Sequence, residues 1–215
     1  MTVFIARNRF SLTVAVIFIS AAALGTVLDS SPAPASSAPY GQVTTVWAAE
    51  RDMPTPVPLN KLTVFSSYFD LVQPGPKAPG SWDACYRVLL RGLRPKAAST
   101  ISIWASTHNR KPPGQIVAHP RFGGVEWDVW AYGSSGPVTF TLEYTELSAV
   151  VMPYRRWTYG TVHLLAMLRW LVSNGYLTGR EQLTGLRFGY EFVSVGGSDR
   201  SFTVRVFKVE QRQAR

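Results

Sequence analysis

An all-β sandwich with one packed helix is the fold this sequence predicts, and three observations predict it. From about residue 43 onward, short runs of alternating apolar and polar residues recur between Gly, Pro and Ser punctuation. Trp, Tyr, Thr and Val are plentiful, and they suit strands better than helices. Only one segment replaces the two-residue alternation with a helical spacing.

The elements follow in chain order. Arg7 and Arg9 form a charged head, residues 11–28 are uncharged and largely apolar, and Ala21, Ala22 and Ala23 offer small residues to a signal peptidase. Residues 1–28 therefore have the form of an export signal. Residues 11–28 are also long enough to stay in a bilayer as an uncleaved anchor. Either reading puts the bulk of the chain outside the membrane, secreted or anchored. Residues 29–42, from Asp29 to Gln42, form a Pro/Ser/Ala linker with nothing to bury. The folded domain is expected over 43–215.

Within it, the clearest strands are 99–105, 125–132, 138–145, 185–193 and 201–209. Pro112-Pro113-Gly114 and the GSSGP run at 133–137 are turn signals. Residues 161–174 carry Leu164, Leu165, Leu168, Leu171 and Val172 at the spacing of an amphipathic helix. Thr161 is placed to cap its start and Asn174-Gly175 to close its end. A single helix in such a chain has to pack on the outside of a sheet.

Charge and cysteine content narrow the function. Cys85 is the only cysteine, so no intrachain disulfide can staple the exported domain. The formal charge is +9 across 215 residues, a balance that suits nucleic acid, an anionic envelope surface or an acidic polymer. No nucleic-acid reading motif is present and the leader argues for export, so no nucleic-acid partner is expected; attachment to an anionic cell envelope stays open. His108, His119 and His163 lack metal-ligand spacing. There is no glycine-rich phosphate loop and no Ser/His/Asp set. A monomer without metal or cofactor is expected.

The strand at 185–192 (GLRFGYEF) carries the chemistry. Leu186, Phe188, Tyr190 and Phe192 share one face, fit for the core; Arg187, Gly189 and Glu191 share the other. Gly189 leaves room for something to approach the strand beside Glu191. A carboxyl group on a face near tryptophans suits a general acid for glycosidic cleavage.

An ordered set of motifs accompanies it. The helix, an Asn-Gly-Tyr-Leu connection, Leu183-Thr184-Gly185-Leu186 and Gly189-Tyr190-Glu191 follow one another. Upstream stand Pro113-Gly114, then Gly124, Trp127-Asp128-Val129-Trp130 and Gly133, and Ile103-Trp104. Over residues 99–209 this set resembles the family-12 glycoside hydrolases, the endo-β-1,4-glucanases. The resemblance implies a jelly roll of two curved antiparallel sheets and a cleft that hydrolyses β-1,4-glucan with retention. It also implies that Glu191 is the acid/base and that no cofactor is needed. Trp104, Trp130 and Asp128 would line the glucan cleft, while Trp127, of opposite parity, falls in the core and Trp157 and Trp170 pack near the helix.

The chain departs from the family where a second carboxylate is needed. The family's nucleophile strand reads Glu-Ile-Met-Ile-Trp; here 100–104 read Thr-Ile-Ser-Ile-Trp, so Thr100 holds the nucleophile position. A threonine hydroxyl does not readily form the glycosyl ester. Where the family has Tyr-Asp, this chain has Tyr86-Arg87. Between Asp83 and Glu126 there is no acid, only Arg87, Arg91, Arg94, Lys96, Arg110, Lys111 and Arg121. Glu126, Asp128 and Glu143 are the substitutes to consider. Two accounts fit the loss: a glucan- or envelope-binding pseudo-enzyme, or a shifted reading frame within 62–112. Val46-Trp47 is a faint echo of the family's first strand motif, so the N-terminal half is expected to be atypical and poorly packed.

Overall fold

The computed structural model describes residues 15–19, 43–92, 98–132, 138–145, 157–194 and 200–214. Their strands form two sheets. The smaller runs in the order β1 (Ala15–Ile19), β12 (Arg200–Gln213), β3 (Leu62–Val72) and β10 (Tyr159–Val162). The larger runs β2 (Thr44–Pro58), β11 (Gln182–Ser194), β4 (Ser81–Arg91), β5 (Ala98–His108), β9 (Val138–Thr145), β8 (Val125–Tyr132) and β6 (Gln115–Ala118), with β7 (Arg121–Phe122) also on β8. This is the β-sandwich with one helix that the sequence predicts. One pair departs from the antiparallel expectation. The excursion through β6, β7 and β8 returns the chain so that β9 runs parallel to β5.

The alternation along each strand explains the core. On β11, Leu186, Phe188, Tyr190 and Phe192 point inward and are buried, as are Trp82, Ala84, Tyr86 and Val88 on β4. The smaller sheet answers with Phe65, Phe69, Leu71, Phe202, Val204 and Phe207. Phe188 stacks on Phe207 across the sandwich at 6.0 Å and lies 4.4 Å from Tyr86, centroid to centroid. The two buried tyrosines end on polar partners, as they must in an apolar layer. Tyr86 donates to the Ser67 hydroxyl and Tyr190 to the Val72 carbonyl. Burial pushes both phenols up.

Two expectations for the helix change here. The helix α1 is Leu164–Ser173, shorter than 161–174, and His163 rather than Thr161 stands at its cap position without a side-chain cap bond. Thr161 is taken by β10, where it pairs with Tyr68 of β3. The C-terminal end agrees: the Asn174 N–H reaches the Trp170 carbonyl and Gly175 has φ 76°. Leu164, Leu165, Met167, Leu168 and Leu171 are buried beneath the helix.

The N-terminal half is not poorly packed. β2, β3 and β4 are long strands, and Leu62, Phe65, Phe69 and Trp82 are fully buried. Among the described residues of 62–112, apolar side chains take alternate inward positions of β3, β4 and β5. Inside the expected leader, residues 15–19 lie as β1 along β12, from Ala15 opposite Val204 to Ile19 opposite Arg200. The linker 29–42 and the turn at 133–137 fall outside the described residues.

Candidate active site

The face of the larger sheet away from the core carries the polar side chains, and the strand registers arrange them in rows. Glu191 on β11 stands opposite Asp83 on β4, and Asp83 opposite Thr107 on β5. The next row holds Trp47 (β2), Gly189, Cys85, Trp104, Glu143 (β9) and Asp128 (β8). Below it run Glu50, Arg187, Arg87, Ser102, Thr141 and Trp130.

Gly189 is needed because β2 bulges there. Its neighbour Phe188 pairs with Ala49, yet Gly189 itself pairs with Trp47. A Cβ on Gly189 would lie 2.2 Å from the Val46 carbonyl oxygen. What approaches the strand beside Glu191 is therefore the backbone of β2, which brings Trp47 onto the cleft face.

Glu191 is held from two sides. Arg87 Nη2 donates to its Oε1 at 2.7 Å, and Arg110 Nη2 lies 3.1 Å from its Oε2. Arg110 also donates through Nη1 to Asp83 Oδ2. Both guanidiniums rest on tryptophans: Arg87 Cζ is 5.1 Å from the Trp47 ring centre and Arg110 Cζ 4.7 Å from that of Trp104. A chain of contacts thus runs Trp47, Arg87, Glu191, Arg110, Trp104.

Asp83 lies beneath this clamp, with no exposed surface. Its burial and then the neighbouring Glu191 push its carboxyl well above the usual range, against the pull of Arg110, Cys85 and Arg87. Burial, then Glu191 and Asp83, likewise raise the Cys85 thiol. Asp83, Cys85 and Glu191 each offer one atom within 4.8 Å of the others, the metal-ligating residue types that converge among the described residues. The carboxylates there are already engaged by guanidiniums, and a cation would face Arg87 and Arg110.

The sequence candidates fall into place as follows. Glu191 is on the face away from the core, as its parity implies, and 6% exposed. Thr100 precedes Ser102 on β5, whereas Thr107 is level with Glu191, a separation along the strand of roughly 20 Å. Trp104 is on the cleft face but only 2% exposed, its ring covered by Arg110. Trp130 is half-buried at the far side, opposite Thr141. Asp128 is buried and paired with His119 at 2.7 Å, four strands from β11. Glu126 stands opposite Arg121 at the β7 margin. Glu143 is level with Trp104 in the backbone register, three strand spacings from β11, about 14 Å along the sheet. Trp127 is core, as its parity implies, in edge contact with Trp157.

Sequence reasoning does not find the roles of Asp83, Arg110 and Trp47. Parity alone puts Asp83 on the face of Arg87, but its pairing with Glu191 needs the strand order β11-β4, which no local pattern reveals.

No protein-family model matches the chain, and no curated protein matches it. Solved structures do. A metagenome-derived glycoside hydrolase family 12 endoglucanase is 19% identical, with TM-score 0.62 over 79% of this chain and 76% of that one. Endoglucanase cel12A from Rhodothermus marinus is 21% identical, with TM-score 0.59 over 74% and 67%. The xyloglucanase domain of NopAA, a type three effector from Sinorhizobium fredii, in complex with cellobiose, is 21% identical, with TM-score 0.58 over 79% and 77%. The chain has the jelly-roll fold of the family-12 glycoside hydrolases.

Proposed function

We propose that this chain is a glycoside hydrolase directed at β-1,4-linked glucan, with Glu191 as its acid/base. The observation that carries the reading is Glu191 itself: a carboxylate on the cleft face of a sheet whose fold is shared with endoglucanases and a xyloglucanase. Glu191 would protonate the leaving oxygen and later activate water. The apolar leader supports export toward an extracellular polysaccharide.

Retaining hydrolysis uses two carboxyl groups about 5–5.5 Å apart. Asp83 offers an oxygen within 4.8 Å of one on Glu191, but it is sealed beneath Arg110 and cannot reach an anomeric carbon. It positions Glu191 through the shared guanidinium. A second reading is favoured by the same clamp: with both oxygens of Glu191 engaged by Arg87 and Arg110, the cleft holds glucan without cleaving it.

The test is reducing-sugar release from mixed-linkage β-glucan by the full chain, beside Glu191→Gln. Release that falls by at least about a hundredfold in the variant supports the acid/base role. Absence of release from folded protein that is still retained by β-glucan leaves the binding reading in its place.

A further inference from the structure

The lower row of the cleft has a feature that cleavage of a neutral glucan does not use. Arg187 on β11 and Arg87 on β4 stand directly opposite each other. Like charges in that position oppose strand pairing unless something neutralises them. Among the described residues each has one acidic partner: Glu191 for Arg87, and Glu50 for Arg187 at 3.6 Å, longer than a hydrogen bond. The Nε atoms of both arginines are buried and lack a hydrogen-bond partner. Their side chains are nevertheless about one-third exposed, 36% for Arg87 and 35% for Arg187, on the face of the sheet away from the core. Arg91 continues the same face of β4 toward its end. On the β2 side, Asp52 stands opposite Gly185, one row beyond Arg187.

We infer that the Arg87–Arg187 notch receives an anionic group on a sugar ring, so that the cleft prefers an acidic β-linked glycan to a neutral one. This rests on the glycan-cleft reading above and names its substrate class. A guanidinium fork matches an oxyanion with paired donors, and an anion set between two opposed arginines relieves their repulsion. The shared chemistry is an oxyanion, supplied by a uronate carboxylate or by a sulfate ester.

Calorimetric titration of the full chain with cellohexaose, a β-1,4-linked glucuronic acid hexamer and a sulfated cellohexaose separates these. The acidic hexamer should bind about tenfold or more tightly than cellohexaose, on the scale of one charge-assisted hydrogen bond. Arg187→Gln should erase that preference, while Lys208→Gln on β12 of the smaller sheet leaves it unchanged, which separates the notch from the general positive charge. Tighter binding of the sulfated sugar than of the uronate, lost equally in Arg187→Gln, keeps the notch and assigns the sulfate as its source. Equal binding of neutral and acidic hexamers, or a preference that survives Arg187→Gln, overturns the inference and leaves the glucan reading standing. No binding of any of the three to folded protein overturns both.

Discussion

The two faces of the β11–β4 pair are built from the same alternation but solve burial in opposite ways. Inward, Phe188, Tyr190, Trp82 and Tyr86 bury rings against rings, where removal from water is itself favourable. Outward, Asp83 and Glu191 are buried almost as deeply, and burying a charge is costly unless it is paired. Arg87 and Arg110 supply the pairing, each backed by a tryptophan face. One face is held by area and the other by matched charge, so the two should respond differently to substitution and to pH.

The largest effect is expected on the inner face. Phe188→Ala removes a ring that touches Phe69, Tyr86 and Phe207, and should cost about 4 kcal/mol in urea unfolding, with no dependence on pH. A cost that varied strongly with pH would break the contrast between faces.

Next comes the clamp. Arg110→Gln leaves Asp83 and Glu191 sharing one fewer guanidinium and should cost about 3 kcal/mol near neutral pH. That loss should shrink in acid, as the Asp83 carboxyl, raised above its usual range by burial, takes up its proton. A cost unchanged from pH 7 to pH 4 would mean that Arg110 acts by packing on Trp104 alone.

The smallest effect isolates Asp83. Its carboxyl is raised in the folded state, so the folded chain holds that proton more tightly than the unfolded chain. The resulting stabilisation is fully present below the unfolded value near 3.9, and is lost as pH rises through the folded value. Asp83→Asn should therefore flatten a fall in Tm between about pH 4 and neutral. An identical slope in the variant would assign the pH dependence elsewhere.

The difference between the faces also decides what could be read from the sequence. The inner face announces itself: Leu186, Phe188, Tyr190 and Phe192 alternate without a break, and the strands 125–132 and 138–145 fall where their patterns end. Glu191 is legible because it is the one acid on the strand's polar face, opposite in parity to the apolar run. Its partners are not. Arg110 lies beyond the end of β5 and returns to the cleft through its long side chain, and Asp83 meets Glu191 only through a register 108 positions apart along the chain. Thr161 reads as a cap in isolation, but pairing with Tyr68 outweighs a cap bond. Local pattern specifies which way a side chain points; it does not specify which strand lies alongside.

The place of β11 has a consequence for how the molecule is made. It is inserted between β2 and β4, two strands synthesised long before it. Until the last quarter of the chain emerges, β2 and β4 each present an open edge, and the salt bridge between Arg87 and Glu191 waits for a residue 104 positions further on. Such distant closure makes assembly slow and all-or-nothing, because a partial chain has neither a complete sheet nor a neutralised cleft. A prematurely terminated chain that lacks β11 exposes two strand edges with a run of arginines beside them.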